Sequence, residues 1–103
     1  MRHHLSIRRF LNRGDHHAGA YVVARVPDRD SCAEPGCNHL WCGDIVLDIA
    51  DCSRVVHLSF ELASASDRRN SLHKANVLVD VLTRFRDALE VEAARTVART
   101  PTR

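Results

Sequence analysis

The segment Ile45–Leu62 admits one antiparallel register, and that register constrains the fold more than any other feature of the chain. A turn at Cys52-Ser53 sets Ile49 opposite Val56, Leu47 opposite Leu58 and Ile45 opposite Phe60. The alternate positions pair Ala50 with Val55, Asp48 with His57 and Val46 with Ser59. Every large apolar pair falls on one face, and an acid lies beside a histidine on the other. A slip of one residue would turn the whole apolar set to the wrong side. The spacing predicts strands over Ile45–Ala50 and Val55–Leu62, joined as a hairpin.

Alternation marks two earlier strands. In Leu5–Asn12, Leu5, Ile7 and Leu11 share a face opposite Ser6, Arg8 and Phe10. In Ala20–Val26, Ala20, Val22, Ala24 and Val26 alternate with Tyr21, Val23 and Arg25. Asn12-Arg13-Gly14-Asp15 is turn chemistry and joins them. After the fourth strand, Ser64-Ala65-Ser66-Asp67 supplies N-cap residues for a helix over Asp67–Val97. Its apolar stripe is Leu72, Ala75, Leu78, Val79, Leu82, Phe85 and Leu89, widened by Val77, Val81 and Ala88.

The order predicts an α+β fold over residues 1–103, a single domain with a four-stranded antiparallel sheet of two hairpins and a long C-terminal helix covering its apolar face (ββββα). A chain of 103 residues supports one modest core, and no segment approaches the length of a membrane span. Thirty helical residues extend roughly 45 Å, whereas an eight-residue strand covers about 27 Å. The helix should therefore overhang its sheet. Either its last turns fray, as Thr96, Thr100 and Pro101 suggest, or Val77, Val81, Ala88 and Val91 meet a second copy, and a homodimer is the expected outcome.

Between the second and third strands lies the long segment Pro27–Gly43, which contains Cys32, Cys37, His39 and Cys42 in the run CAEPGCNHLWC. The N-terminal MRHHLSIRRF lacks the apolar run of an export signal, so a reducing cytoplasm is expected. There, clustered thiols bind metal more often than they form disulfides. Three thiolates and one imidazole suit a structural zinc with no open position for water. Cys52 is an alternative to His39, although its register places it at the far turn of the third strand.

The net charge of +2 is too small to imply nucleic acid, but it is unevenly spread. Residues 1–26 carry Arg2, Arg8, Arg9, Arg13 and Arg25 against Asp15, whereas residues 27–66 carry seven acids against Arg29 and Arg54. Arg8, Phe10, Tyr21 and Arg25 should gather on the sheet face away from the helix. Arginines among aromatic rings hold single-stranded nucleic acid by stacking and phosphate pairing. Asp48 and Glu61 oppose that use, and Val23, Val46 and Val55 suit a protein partner better.

Other candidates for chemistry have plainer readings. His3 and His4 sit at the open end of the first hairpin and His16 and His17 at its turn, too far apart to share an ion. Ser71-x-x-Lys74 has the spacing of a serine–lysine nucleophile pair without its companion motifs, and reads as helix surface. Asp48 and His57 read as a cross-strand ion pair without a nucleophile.

Four strands followed by a helix, with the run Gly43-Asp44-Ile45-Val46-Leu47-Asp48-Ile49 leading into a turn and another strand, resemble in topology the single-strand-binding repeats of the Pur-alpha and Whirly kind. That resemblance implies a sheet face that meets nucleic acid, and it is one of fold alone. Asp51-Cys52-Ser53-Arg54 and Asn70-Ser71-Leu72-His73-Lys74, ahead of a long amphipathic helix, resemble small uncharacterised proteins of actinobacteria and their phages. This implies an accessory or regulatory protein. The sequence is best read as a non-enzymatic binding module acting through an unidentified protein partner, with single-stranded nucleic-acid binding as the alternative.

Overall fold

The computed structural model describes residues 3–28 and 45–99. Strands β1 (His3–Phe10), β2 (Ala20–Pro27), β3 (Val46–Asp51) and β4 (Arg54–Leu58) are followed by helix α1 (Ala65–Arg99). The sheet is antiparallel throughout, in the order β1-β2-β3-β4. The α+β class and the ββββα order are those that the alternation predicts.

The second hairpin holds its expected register from Ala50↔Val55 to Leu47↔Leu58, with Asp48↔His57 and Ile49↔Val56 between. It stops short of the expected Ile45–Phe60 and Val46–Ser59 pairs. The reason lies in the linker to α1. The Lys74 ammonium donates to the Ser59 carbonyl at 2.7 Å, and the Ser71 hydroxyl donates to the Glu61 carbonyl at 2.6 Å. These bonds tie the chain just after Leu58 to the helix. In the first hairpin Phe10 lies opposite Tyr21 and Ile7 opposite Ala24, with a register shift between His3 and Leu5. β2 meets β3 with Ala20↔Asp51 and Arg25↔Val46 as its outermost pairs.

Helix α1 begins at Ala65, two residues before the expected Asp67, because the first of the candidate caps, Ser64, is the one used. The Asp67 amide donates to Ser64 Oγ at 3.0 Å, and the Arg68 amide donates to the Ser64 carbonyl at 2.9 Å. No glycine or proline interrupts the 35 residues of the helix, so nothing in its sequence kinks it. Its start is bound to the linker by Ser71 and Lys74, by Arg68 Nη1 donating to the Leu62 carbonyl, and by Lys74 Nζ over the Phe60 ring. Ser71, expected on the helix surface, is buried.

Cover of the sheet by the helix is slight, and here the expectation needs correction. Side chains of α1 are shielded only in its first turns, at Asp67, Ser71, Lys74, Ala75 and Leu78; from Val79 to Val97 every one is exposed. Leu82 is 56% exposed, Phe85 63% and Leu89 55%. Across the sheet, the face carrying Ile7, Ile49 and Val56 is half-buried at its centre and open at both edges. Among the described residues, the only buried hydrophobic side chains are Ala20 and Ala50. A rod anchored at one end and free of hinges points its stripe past the sheet, which accounts for the 66 Å long axis of the molecule. No helix among the described residues is long and apolar enough to cross a membrane.

Candidate metal centre and outer sheet face

Two turns converge at one end of the sheet. The Leu11 amide donates to the Ala20 carbonyl at 2.9 Å and closes the first hairpin, while the His16 amide donates to the Arg13 carbonyl inside its loop. The Cys52 amide, in the β3–β4 turn, donates to the Gly19 carbonyl at 3.0 Å and ties the two turns together. Because Ala20 pairs with Asp51, the end of β3 lies beside the β1–β2 loop. His17, Asp51 and Cys52 therefore meet, with one ligand atom from each within 4.8 Å of the others.

The His17 ring is held in place. The Gly19 amide donates to its Nδ1 at 3.2 Å, and Asn12 Nδ2 donates to the His17 carbonyl at 3.0 Å. Nε2 lies 3.2 Å from Asn12 Nδ2 and 3.9 Å from Cys52 Sγ. With Nδ1 accepting, the proton of the neutral ring sits on Nε2, directed toward the Cys52 sulfur. A metal ion held through Nε2 would require the ring proton on Nδ1, which could then no longer accept from the Gly19 amide. A Cβ on Gly19 would stand 3.3 Å from His17 Nδ1 and 3.4 Å from Cys52 Cα, so a side chain there would press on both residues. Cys52 itself has φ of 56°, the left-handed conformation that a tight turn requires and a side chain resists.

All three residues are exposed. Thiolate, imidazole and carboxylate together match a borderline-soft divalent cation such as zinc, with a fourth position left to solvent. Such a group of potential ligands is present, but it is not the set expected from the sequence. Cys32, Cys37, His39 and Cys42 lie outside the described residues. Cys52 does occupy the far turn, as its register predicts, and His17 does lie in the first turn. Reasoning about each hairpin by itself missed that the two turns are neighbours. The missing signal was the β2–β3 register, which the long connection between those strands leaves unconstrained.

The outer face of the sheet assembles the expected aromatic and basic side chains. The Arg8 guanidinium lies over the Phe10 ring at 5.6 Å and over the Tyr21 ring at 5.0 Å. Arg25 points from the same face, across from Ser6 and beside Val46. Along the next row Arg8, Val23, Asp48 and His57 run across all four strands. His57 Nδ1 and Asp48 Oδ1 form the expected cross-strand pair at 2.6 Å, with the histidine largely in solvent. An acid in the centre of the row partly offsets the arginine at its edge. Of the expected dimer residues, Val77, Val81, Ala88 and Val91 are all exposed and lie along one flank of α1.

Ser71 and Lys74 are used structurally. Each donates to a linker carbonyl, so their spacing joins helix to sheet and does not present a nucleophile. In comparisons with known proteins, no family model, curated protein or solved structure matches this chain.

Proposed function

We propose that this protein is a small, non-catalytic binding module of the cytoplasm that acts through protein–protein contacts made by its C-terminal helix. The exposed apolar stripe of α1 carries this reading. Leu82, Phe85 and Leu89 are each more than half exposed on a helix that, among the described residues, is bound to its own chain only at its start. Contiguous apolar surface of this kind marks an interaction site. The Asp48–His57 pair does not compete as a catalytic centre, since an open sheet face neither desolvates a histidine nor positions a substrate. Capture of partners by the tagged full chain after nuclease treatment tests the proposal. A stoichiometric protein partner retained by wild type and lost with Leu82→Asp/Phe85→Asp supports it; the same capture by both chains refutes it.

A second reading, single-stranded nucleic-acid binding, rests on the stacking of Arg8 with Phe10 and Tyr21. An arginine held over two rings at an open face offers both a phosphate partner and a stacking platform. Binding of a labelled oligonucleotide should then weaken steeply with salt and be abolished by Arg8→Ala/Arg25→Ala. Affinity that survives the double substitution removes this face from consideration.

Zinc is the metal we assign to the turn end, on the chemistry of the His17, Asp51 and Cys52 donors. Native mass spectrometry before and after chelation reads it directly. Zinc lost from Cys52→Ala but kept by Cys42→Ala supports the turn site, and the reverse pattern moves the metal to the cysteine loop.

A further inference from the structure

Among the described residues two apolar surfaces are uncovered, one on the sheet and one on the helix, and the helix is held so that it cannot join them. Hydrogen bonds from Arg68, Ser71 and Lys74 fix the start of α1 to the linker after β4. From there an uninterrupted helix has no residue at which to fold back. We propose that the occupant is a second copy of this chain, in a reciprocal dimer where the helix of each protomer lies on the Ile7, Ile49 and Val56 face of the other. This rests on the protein-contact reading above and names the partner.

Complementarity singles out a second copy. Among the described residues the sheet face lacks a helix and the helix lacks a sheet, and every copy carries both. Their composition fits: Leu82, Phe85 and Leu89 line the one surface, and β-branched residues lead the other. Area separates this arrangement from pairing of helix with helix. The exposed length of α1 is about 30 Å, which at a width of about 10 Å offers roughly 300 Å² of flat contact. Four strands about 4.8 Å apart and about 20 Å long offer roughly 400 Å² more. Helix against helix uses only the first surface. A reciprocal dimer uses both on each protomer; because a helix covers no more of the sheet than its own footprint, this gives at most about 600 Å² of flat contact per partner, twice that of helix pairing and nearer the roughly 800 Å² of a stable interface. It also supplies a core to a chain whose only buried hydrophobic side chains, among the described residues, are two alanines. Small domains that bury so little fold by associating.

Two variants of the full chain and their mixture test the arrangement. The helix variant is Leu82→Asp/Phe85→Asp and the sheet variant is Ile7→Asp/Val56→Asp, with association read by light scattering and native mass spectrometry. Wild type should be dimeric, and each variant alone should dissociate roughly 100-fold or more readily, because each change spoils both contacts of its homodimer. Mixed together, they should recover a one-to-one heterodimer. Both defects then fall in a single contact, while the unaltered helix of one chain meets the unaltered sheet of the other. Recovery also shows that neither variant was simply unfolded. A sheet variant as dimeric as wild type overturns the arrangement in favour of helix pairing. Two monomeric variants that yield no heterodimer overturn it as well. A wild type that is monomeric at every concentration removes the second copy altogether, yet a foreign partner captured through Leu82 and Phe85 would still stand.

Discussion

The sheet and the helix of this protein are specified in opposite ways. Each strand finds its place through a neighbour: Ile49 lies at its register because Val56 lies opposite it. Helix α1 closes its hydrogen bonds within itself and needs a neighbour only for its apolar stripe, which the described chain leaves open from Val79 onward. A strand that lost its partner would lose its structure. A long helix that lacks one keeps its shape and exposes its side chains. An apolar pattern therefore states which face wants cover, without stating what supplies it.

Three substitutions sharpen or break that contrast. The largest effect belongs to Ala88→Pro, which removes a hydrogen bond and crowds the preceding turn at a cost of about 3 kcal/mol to the helix. Helical circular dichroism should fall. Hydrogen-exchange protection of β2 and β3 should fall with it only at concentrations where the protein is dimeric. Loss of sheet protection in the dilute monomer would mean that the far helix supports its own sheet after all. Ser71→Ala acts where the two regions are joined and leaves the Glu61 carbonyl without its donor, for about 1–2 kcal/mol. Chemical denaturation should show helix and sheet losing stability together; a change confined to the helix would show that the joint carries no load. The smallest effect runs the other way. Cys52→Gly relieves the left-handed conformation at φ 56° and should raise stability by about 0.5 kcal/mol in metal-free protein. The same change should weaken any zinc bound at the turn. A fall in metal-free stability would indicate that the sulfur's contact with His17 outweighs the backbone strain.

Which parts of this were legible in the sequence follows from distance along the chain. The second hairpin was readable through Leu58 because its partners are joined by a two-residue turn and only one register keeps the apolar face intact. The capping segment Ser64–Asp67 and the continuous helix were readable for the same local reason, though which of its residues caps the helix was not. The end of β4 was not, since it is set by Ser71 and Lys74 reaching back from the helix to Glu61 and Ser59. The meeting of His17 with Cys52 was likewise hidden, because 35 residues separate them and only the β2–β3 pairing brings them together. The aromatic and basic cluster of Arg8, Phe10 and Tyr21 was visible from alternation alone, which assigns a face and leaves the stacking distances to the structure.

The anchoring of α1 at one end makes the helix a lever arm. From Ser71 to Val97 it extends about 39 Å at 1.5 Å per residue. A rotation of about 10° at the joint would therefore carry the far tip through roughly 7 Å, more than one helical turn. Two short hydrogen bonds to the linker, at Ser59 and Glu61, consequently set where a surface several nanometres away is presented. Changes in the linker after β4 should be felt most strongly at the opposite end of the molecule, far from the atoms they alter.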